Sequence, residues 1–87
     1  MMRNIEFTPR AWADYEYWEA QDKKTLKKIK QLLKELQRHP ESGSGHPEPL
    51  KENMSGEWSR KINQKDRLVY RFTDTTVLIG QLRTHYE

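Results

Sequence analysis

Between Lys23 and Arg38 the chain reads KKTLKKIKQLLKELQR, a run that permits little besides an amphipathic helix. Leu26, Ile29, Leu33 and Leu36, with Leu32 beside them, recur at steps of three and four residues and form a narrow apolar seam, while lysines fill the remaining faces. Such a seam needs a second apolar surface to cover it. One begins just upstream. Thr8-Pro9 reads as an N-cap followed by proline at the first helical position, where its missing N–H costs nothing. Trp12, Tyr15 and Trp18, with Ala11 alongside, then fall at helical spacing, and this aromatic stripe is expected in the core. Asp22 can cap the second helix, and Ala20-Gln21-Asp22 is the expected bend of an αα-hairpin. His39-Pro40 closes it, because a residue before proline is pushed out of the helical region.

The pattern changes on either side of the hairpin. Asn4 to Phe7 is short and flanked by a turn signal, so a brief first strand is expected. Residues 41–56 carry Gly43, Gly45, Gly56, Pro47 and Pro49 and read as a loop, long enough for so small a domain to suggest a function. Beyond Gly56, Trp58, Arg60 and Ile62 alternate with Ser59, Lys61 and Asn63. Leu68, Tyr70 and Phe72 alternate with Arg67, Val69 and Arg71, and Val77-Leu78-Ile79 leads into Leu82. Turns at Asn63-Gln64-Lys65-Asp66 and Asp74-Thr75 join these runs into a three-stranded antiparallel meander. The expected class is α+β: a short N-terminal strand, an αα-hairpin, then the meander, in the order β-α-α-β-β-β, with both helices on one face of the sheet. At 87 residues the chain is read as one domain, 1–87, with neither repeat nor linker.

Composition narrows the chemistry. Only 33% of residues are hydrophobic, so three Trp, four Tyr and two Phe must supply much of the core. The lack of Cys removes disulfides, thiolate nucleophiles and Cys-based zinc sites. No His pair has helical i, i+4 spacing and no carboxylate cluster accompanies one, so neither metal nor other cofactor is expected. With no signal peptide and no long apolar run, a soluble cytoplasmic protein without a membrane partner is expected. The net charge of +3 is unevenly spread. Lys23, Lys24, Lys27, Lys28, Lys30, Lys34 and Arg38 face the single acid Glu35 within the second helix, whereas Asp14, Glu16, Glu19 and Asp22 precede it without a base. A polyanion such as nucleic acid suits the basic helix, and a merely solvated lysine face suits it equally well on charge alone.

The meander also has a consequence for chemistry. If strands 67–73 and 77–83 pair through a short turn, Arg67 comes close to Leu82 and Arg83, with His85 following at once. A three-residue turn would put Arg67, Arg83 and His85 on one face and keep Leu68, Tyr70, Phe72, Leu78 and Leu82 together on the core face, and this register is the expected one. Guanidinium groups suit phosphate, since they are planar, permanently charged and able to donate paired hydrogen bonds. Histidine titrates near neutrality and can protonate a leaving oxygen. With one carboxylate as base, such a set suffices for RNA cleavage in which the 2′-hydroxyl attacks its own phosphate. The loop holds a candidate: in Pro47-Glu48-Pro49, proline restrains both itself and the residue before it, so Glu48 is stiffened in an extended conformation. On these residues alone, an idle glutamate on a stiff surface turn is the commoner outcome.

The segments W-x-D-Y-x-Y-W (Trp12 to Trp18), PEPLK (47–51), N-x-S-G-x-W-S-R (Asn53 to Arg60), RLVY (67–70) and the closing His85-Tyr86 come in one order across nearly the whole chain. In these the chain resembles the YoeB toxins of the RelE superfamily, ribosome-dependent mRNA endonucleases paired with antitoxins. The resemblance implies that Glu48 is the general base, His85 the general acid and Arg67 the arginine that stabilises the charged phosphorane. It implies that Lys51, Arg83 and Tyr86 contact the substrate, and that Lys23, Lys24, Lys27, Lys28 and Lys30 dock on ribosomal RNA. The partners implied are a cognate antitoxin, the ribosome and mRNA, with a homodimer as a candidate assembly. Two departures stand out: Arg60-Lys61 replaces the frequent double arginine, and Glu87 extends the chain past the tyrosine. The rival readings are a non-catalytic RNA- or ribosome-binding module and a degenerate toxin that only binds an antitoxin.

Overall fold

Thr8 keeps an extended backbone, and its hydroxyl accepts the Ala11 N–H at 3.1 Å, so that Pro9 opens helix α1 (Pro9–Gln21). These contacts come from a computed structural model that describes residues 2–50 and 56–84. Asp22 alone separates α1 from α2 (Lys23–Arg38). Its N–H donates to the Trp18 carbonyl, while its carboxylate accepts the Thr25 hydroxyl at 2.7 Å and the Thr25 N–H at 3.1 Å. The joint is therefore tighter than the expected bend of three residues, because one residue caps both helices. The Thr25 hydroxyl and N–H also hold the Asp22 carboxyl below its ordinary range.

The strands are β1 (Asn4–Phe7), β2 (Glu48–Pro49), β3 (Trp58–Lys61), β4 (Arg67–Phe72) and β5 (Thr76–Gln81). They form one five-stranded sheet in the order β1-β5-β4-β3-β2, with β1 parallel to β5 and every other pair antiparallel. The α+β layout and the β3-β4-β5 meander are as expected, and the meander is flanked by a further strand at each edge. Glu48–Pro49, expected to be loop, is instead a short strand on β3. An edge position tolerates Pro49, whose missing N–H breaks no interior ladder.

The register of β4 and β5 departs from expectation. Phe72 faces Val77 and Tyr70 faces Ile79, so Val77 and Ile79 are fully buried while Leu78, opposite Arg71, turns to the other face. Between Tyr70 and Val69 the pairing jumps from Ile79 to Gln81, a bulge with Gly80 as its extra residue. The bulge reverses the alternation, which is how Leu82 reaches the core after all. Apolar residues at 77, 79 and 82 cannot share one face of a regular strand.

The core between sheet and helices is built from Ala11 and Trp18 of α1, Leu26, Ile29, Leu32 and Leu36 of α2, and Leu68, Tyr70, Val77, Ile79 and Leu82. Each buried aliphatic side chain stabilises the fold by about 1.5–3 kcal/mol. The seam on α2 is centred nearer Leu32 than expected, leaving Leu33 half-buried. The aromatic stripe of α1 is only partly core. Trp18 is 8% exposed but Trp12 is 51% exposed, because their separation carries Trp12 well around the helix. Trp12 lies instead on the surface, stacked on Tyr15 at 5.7 Å between centroids and edge-on to Phe7.

Candidate active site on the helix-free face of the sheet

Arg60, Leu68 and Tyr70 point toward the helices, so their neighbours Ser59, Lys61, Arg67 and Val69 point to the opposite face. Glu48 is paired with Ser59, Ser59 with Val69, and Val69 with Gln81, which makes one row of side chains across four strands. Lys61 and Arg67, paired with each other, begin the next row. From strand spacing and rise, the Cα atoms of Glu48 and Arg67 are roughly 12 Å apart. The Arg67 guanidinium is turned away from Glu48 toward the β3–β4 turn, which it must leave for both side chains to meet one ribose phosphate. Glu48 is exposed and Arg67 half-exposed, so both are open to a ligand.

Arg67 is braced from behind. Its Nη1 donates to the carbonyls of Asn63 (2.9 Å), Asp66 (3.2 Å) and Gln64 (3.3 Å), all in the turn between β3 and β4. The segment leading to Glu48 is held from the helix side. Arg60, fully buried, donates to Glu35 Oε1 (2.9 Å) and to the carbonyls of His39 (2.5 Å), Ser42 (2.6 Å) and Ser44 (3.3 Å). Glu35 also accepts the Ser44 N–H at 2.7 Å. Partial burial pushes the Glu35 carboxyl up, but the hydrogen bonds from Ser44 and the charge of Arg60 outweigh it and leave it below its usual range. Gly43, at φ 118°, is needed here, since a Cβ would lie 2.5 Å from Glu35 Oε1. The Tyr70 hydroxyl donates to the Pro40 carbonyl, and burial raises its pKa.

The C-terminal end of the described chain arrives beside Arg67. Leu82 is clamped by α1: its N–H donates to Asp14 Oδ2 and its carbonyl accepts the Trp18 indole N–H, both at 2.9 Å. The guanidinium of Arg83 sits over the Tyr17 ring, 3.5 Å from the centroid, at the helix side of this edge. Thr84 then donates its N–H to Asp66 Oδ1 at 2.6 Å, and its carbonyl accepts the Arg67 N–H at 3.1 Å. His85, Tyr86 and Lys51 lie outside the described residues.

Thus the sheet brings Glu48 and Arg67 onto one face and ends the tail, one residue short of His85, at the backbone of Arg67. Sequence reasoning misses Asp14, Asp66 and Gln81 as anchors of the tail; the one available signal is the placement of Asp66 immediately before a strand. Lys23, Lys24, Lys27 and Lys30 are exposed and Lys28 half-buried, all on the helix side. Lys23, Lys27 and Lys30 rim a groove of about 340 Å³ with Glu19 and Leu26. Among the described residues no cluster of three or more His, Asp or Glu could hold a metal ion, and no helix is long and apolar enough to cross a membrane.

A sheet covered on one face by a helical hairpin, with a carboxylate and an arginine at the exposed margin of the other and Ser59, Val69 and Gln81 buried between the strands there, is the RelE-like α+β architecture expected from the sequence. The chain belongs to the YoeB-like toxins of bacterial type II toxin–antitoxin systems, whose family model matches residues 7–86. It is 49% identical over 80 residues to Toxin YoeB of Escherichia coli K12, covering 92% of this chain and 95% of that one. The YoeB dimer of Staphylococcus aureus superposes with a TM-score of 0.91 at 44% identity, covering 99% of this chain and 100% of that one. The YoeB–YefM complex of the same organism gives a TM-score of 0.88 at 42% identity, again covering 99% and 100%.

Proposed function

We propose that this toxin is an endoribonuclease that cleaves mRNA in the ribosomal A site by general acid–base catalysis. The Glu48 carboxylate takes the proton of the 2′-hydroxyl, and the freed oxygen attacks the adjacent phosphorus. Arg67 stabilises the negative charge that grows on the phosphorane oxygens. His85 gives a proton to the departing 5′-oxygen. One P–O bond forms and one breaks, and the products are a cyclic phosphate, or after hydrolysis a 3′-phosphate, and a 5′-hydroxyl. Acid and base are both side chains, so the scheme uses no metal. Lys51, Arg83 and Tyr86 hold the substrate, and Arg83 must leave Tyr17 to do so.

The observation that carries this reading is the shared face: Glu48 stands in the row of Ser59 and Val69, one row from Lys61 and Arg67. The exposed lysines of α2, on the other side of the domain, are free to dock on ribosomal RNA while the helix-free face meets mRNA. The two S. aureus relatives, one a YoeB dimer and the other a YoeB–YefM complex, support an antitoxin protein and a second copy of this chain as its protein partners. The test is to map mRNA ends after mixing the purified protein with a programmed ribosome. Glu48→Ala and His85→Ala are expected to abolish cleavage while ribosome binding survives. Cleavage at the parental rate by both variants would sink the assignment in favour of a binding module, whose activity would vanish instead on charge reversal at Lys27, Lys28 and Lys30.

A further inference from the structure

Asp66 is a carboxylate with only 6% exposure in a turn of otherwise exposed residues, and among the described residues neither of its oxygens meets a basic side chain at salt-bridge distance. Such burial disfavours a charge unless hydrogen bonds replace water. Here they do, and they divide by oxygen. Oδ2 accepts the Asn63 amide at 3.0 Å and so belongs to the turn. Oδ1 reaches out of the turn to the Thr84 N–H at 2.6 Å, a contact between residues far apart in sequence.

Thr84 is unusual in its own right. Its φ of 59° lies in the left-handed region, which a β-branched residue rarely adopts and which persists only where the surroundings hold it. The surroundings are visible: Asp66 Oδ1 on the N–H, the Arg67 N–H on the carbonyl at 3.1 Å, and the Gln81 amide on the preceding Arg83 carbonyl at 3.1 Å. The chain is thus turned at Thr84 immediately beside Arg67, and the next residue is His85.

We infer that Asp66 is a positioning residue for the proposed reaction: by holding the Thr84 amide it fixes the turn of the chain beside Arg67, one residue before His85. The inference rests on the reading of His85 as the general acid. Asp66 touches no reacting atom. Its effect passes through the backbone of Thr84, and the same side chain fixes the turn that carries Arg67.

The test combines kinetics on programmed ribosomes with hydrogen exchange at the Thr84 amide. Asp66→Ala is expected to lower kcat by roughly a hundredfold, the size of effect that a misplacement of about an ångström produces, with KM held within about twofold. Asp66→Asn keeps an acceptor for Thr84 while opposing the Asn63 amide with another, so it should weaken the turn yet restore most of kcat. In a His85→Ala background Asp66→Ala should cost at least about tenfold less than it does in the parent, since the part of its effect that passes through His85 is already lost. Thr84 amide exchange should accelerate at least about tenfold in Asp66→Ala. Unchanged kcat in Asp66→Ala, equal losses in Ala and Asn variants, or unchanged Thr84 protection would each overturn the inference. A His85→Ala variant that cleaves like the parent would instead sink the reading of His85, and the exchange measurement would still judge the Asp66 clamp.

Discussion

Arg60 and Arg67 occupy neighbouring strands and carry the same charge, yet they have opposite fates. Arg60 is opposite Leu68 and points into the helix side, where it is fully buried against Glu35 and three loop carbonyls, with its Nε left without a partner among the described residues. Arg67 is opposite Lys61 and points to the helix-free face, where it is half-exposed and its Nη1 is bound to the turn behind it. A single step of strand alternation separates a buried, structural arginine from the one proposed for the chemistry. A guanidinium announces phosphate chemistry only after the sheet has chosen its face.

The sharpest way to break this comparison is to remove each arginine in turn. Arg60→Ala should destabilise the fold by about 3–5 kcal/mol, because Glu35 and the carbonyls of residues 39–44 lose their buried partner. Denaturant unfolding checks this, and a loss below about 1 kcal/mol would show that water replaces the guanidinium at little cost. Arg67→Ala should instead lower the cleavage rate by roughly 10²–10³-fold, as loss of a group that stabilises transition-state charge does, with a change in stability within about 1 kcal/mol. Single-turnover cleavage beside an unfolding curve separates the two. Arg67→Lys should recover little, since an ammonium cannot reproduce the paired donors.

Acid unfolding sharpens the comparison on the Arg60 side. The Glu35 carboxyl titrates below its usual range when folded, so its contribution is complete above the ordinary value of 4.5 and is lost as pH falls through the lowered one. Urea midpoints measured between about pH 6 and about pH 3 should fall less steeply in Glu35→Gln than in the parent. Parallel slopes would mean that other carboxylates govern the acid limb. The smallest effect is expected far from both arginines: Thr8→Ala removes the α1 cap and should cost about 1 kcal/mol, leaving cleavage unchanged.

Legibility in the sequence follows the range of the forces involved. The caps at Thr8 and Asp22, the end of α2 before Pro40, the boundaries of β1 and the start of β3 are readable because each depends on a few adjacent residues. The burial of Trp18 but not Trp12 is not, since a stripe defined by spacing alone does not say how far around the helix the sheet reaches. The place of Leu78 eludes the sequence for a related reason. Alternation cannot be extrapolated through Gly80, where the strand carries a bulge that only the pairing with β4 reveals. For the site, motif resemblance names Glu48, Arg67 and His85, whereas the contacts that brace Arg67 and the tail have no motif. Asp14, Asp66 and Gln81 look like ordinary surface polar residues until the tail is laid against them.

The amino-acid sequence by itself determined the element order apart from the short strand at Glu48–Pro49, the two caps, the apolar seam of α2 and the identity of the side chains available for chemistry, because local geometry and hydrophobic period are properties of short segments. Tertiary structure alone decided that Glu48 lies in a strand rather than a loop, that it shares a face with Arg67, that Arg60 is an anchor, and that the Thr84 amide meets Asp66. Each of these depends on strand register, and register is a compromise among distant residues competing for one core, which no window of the chain contains.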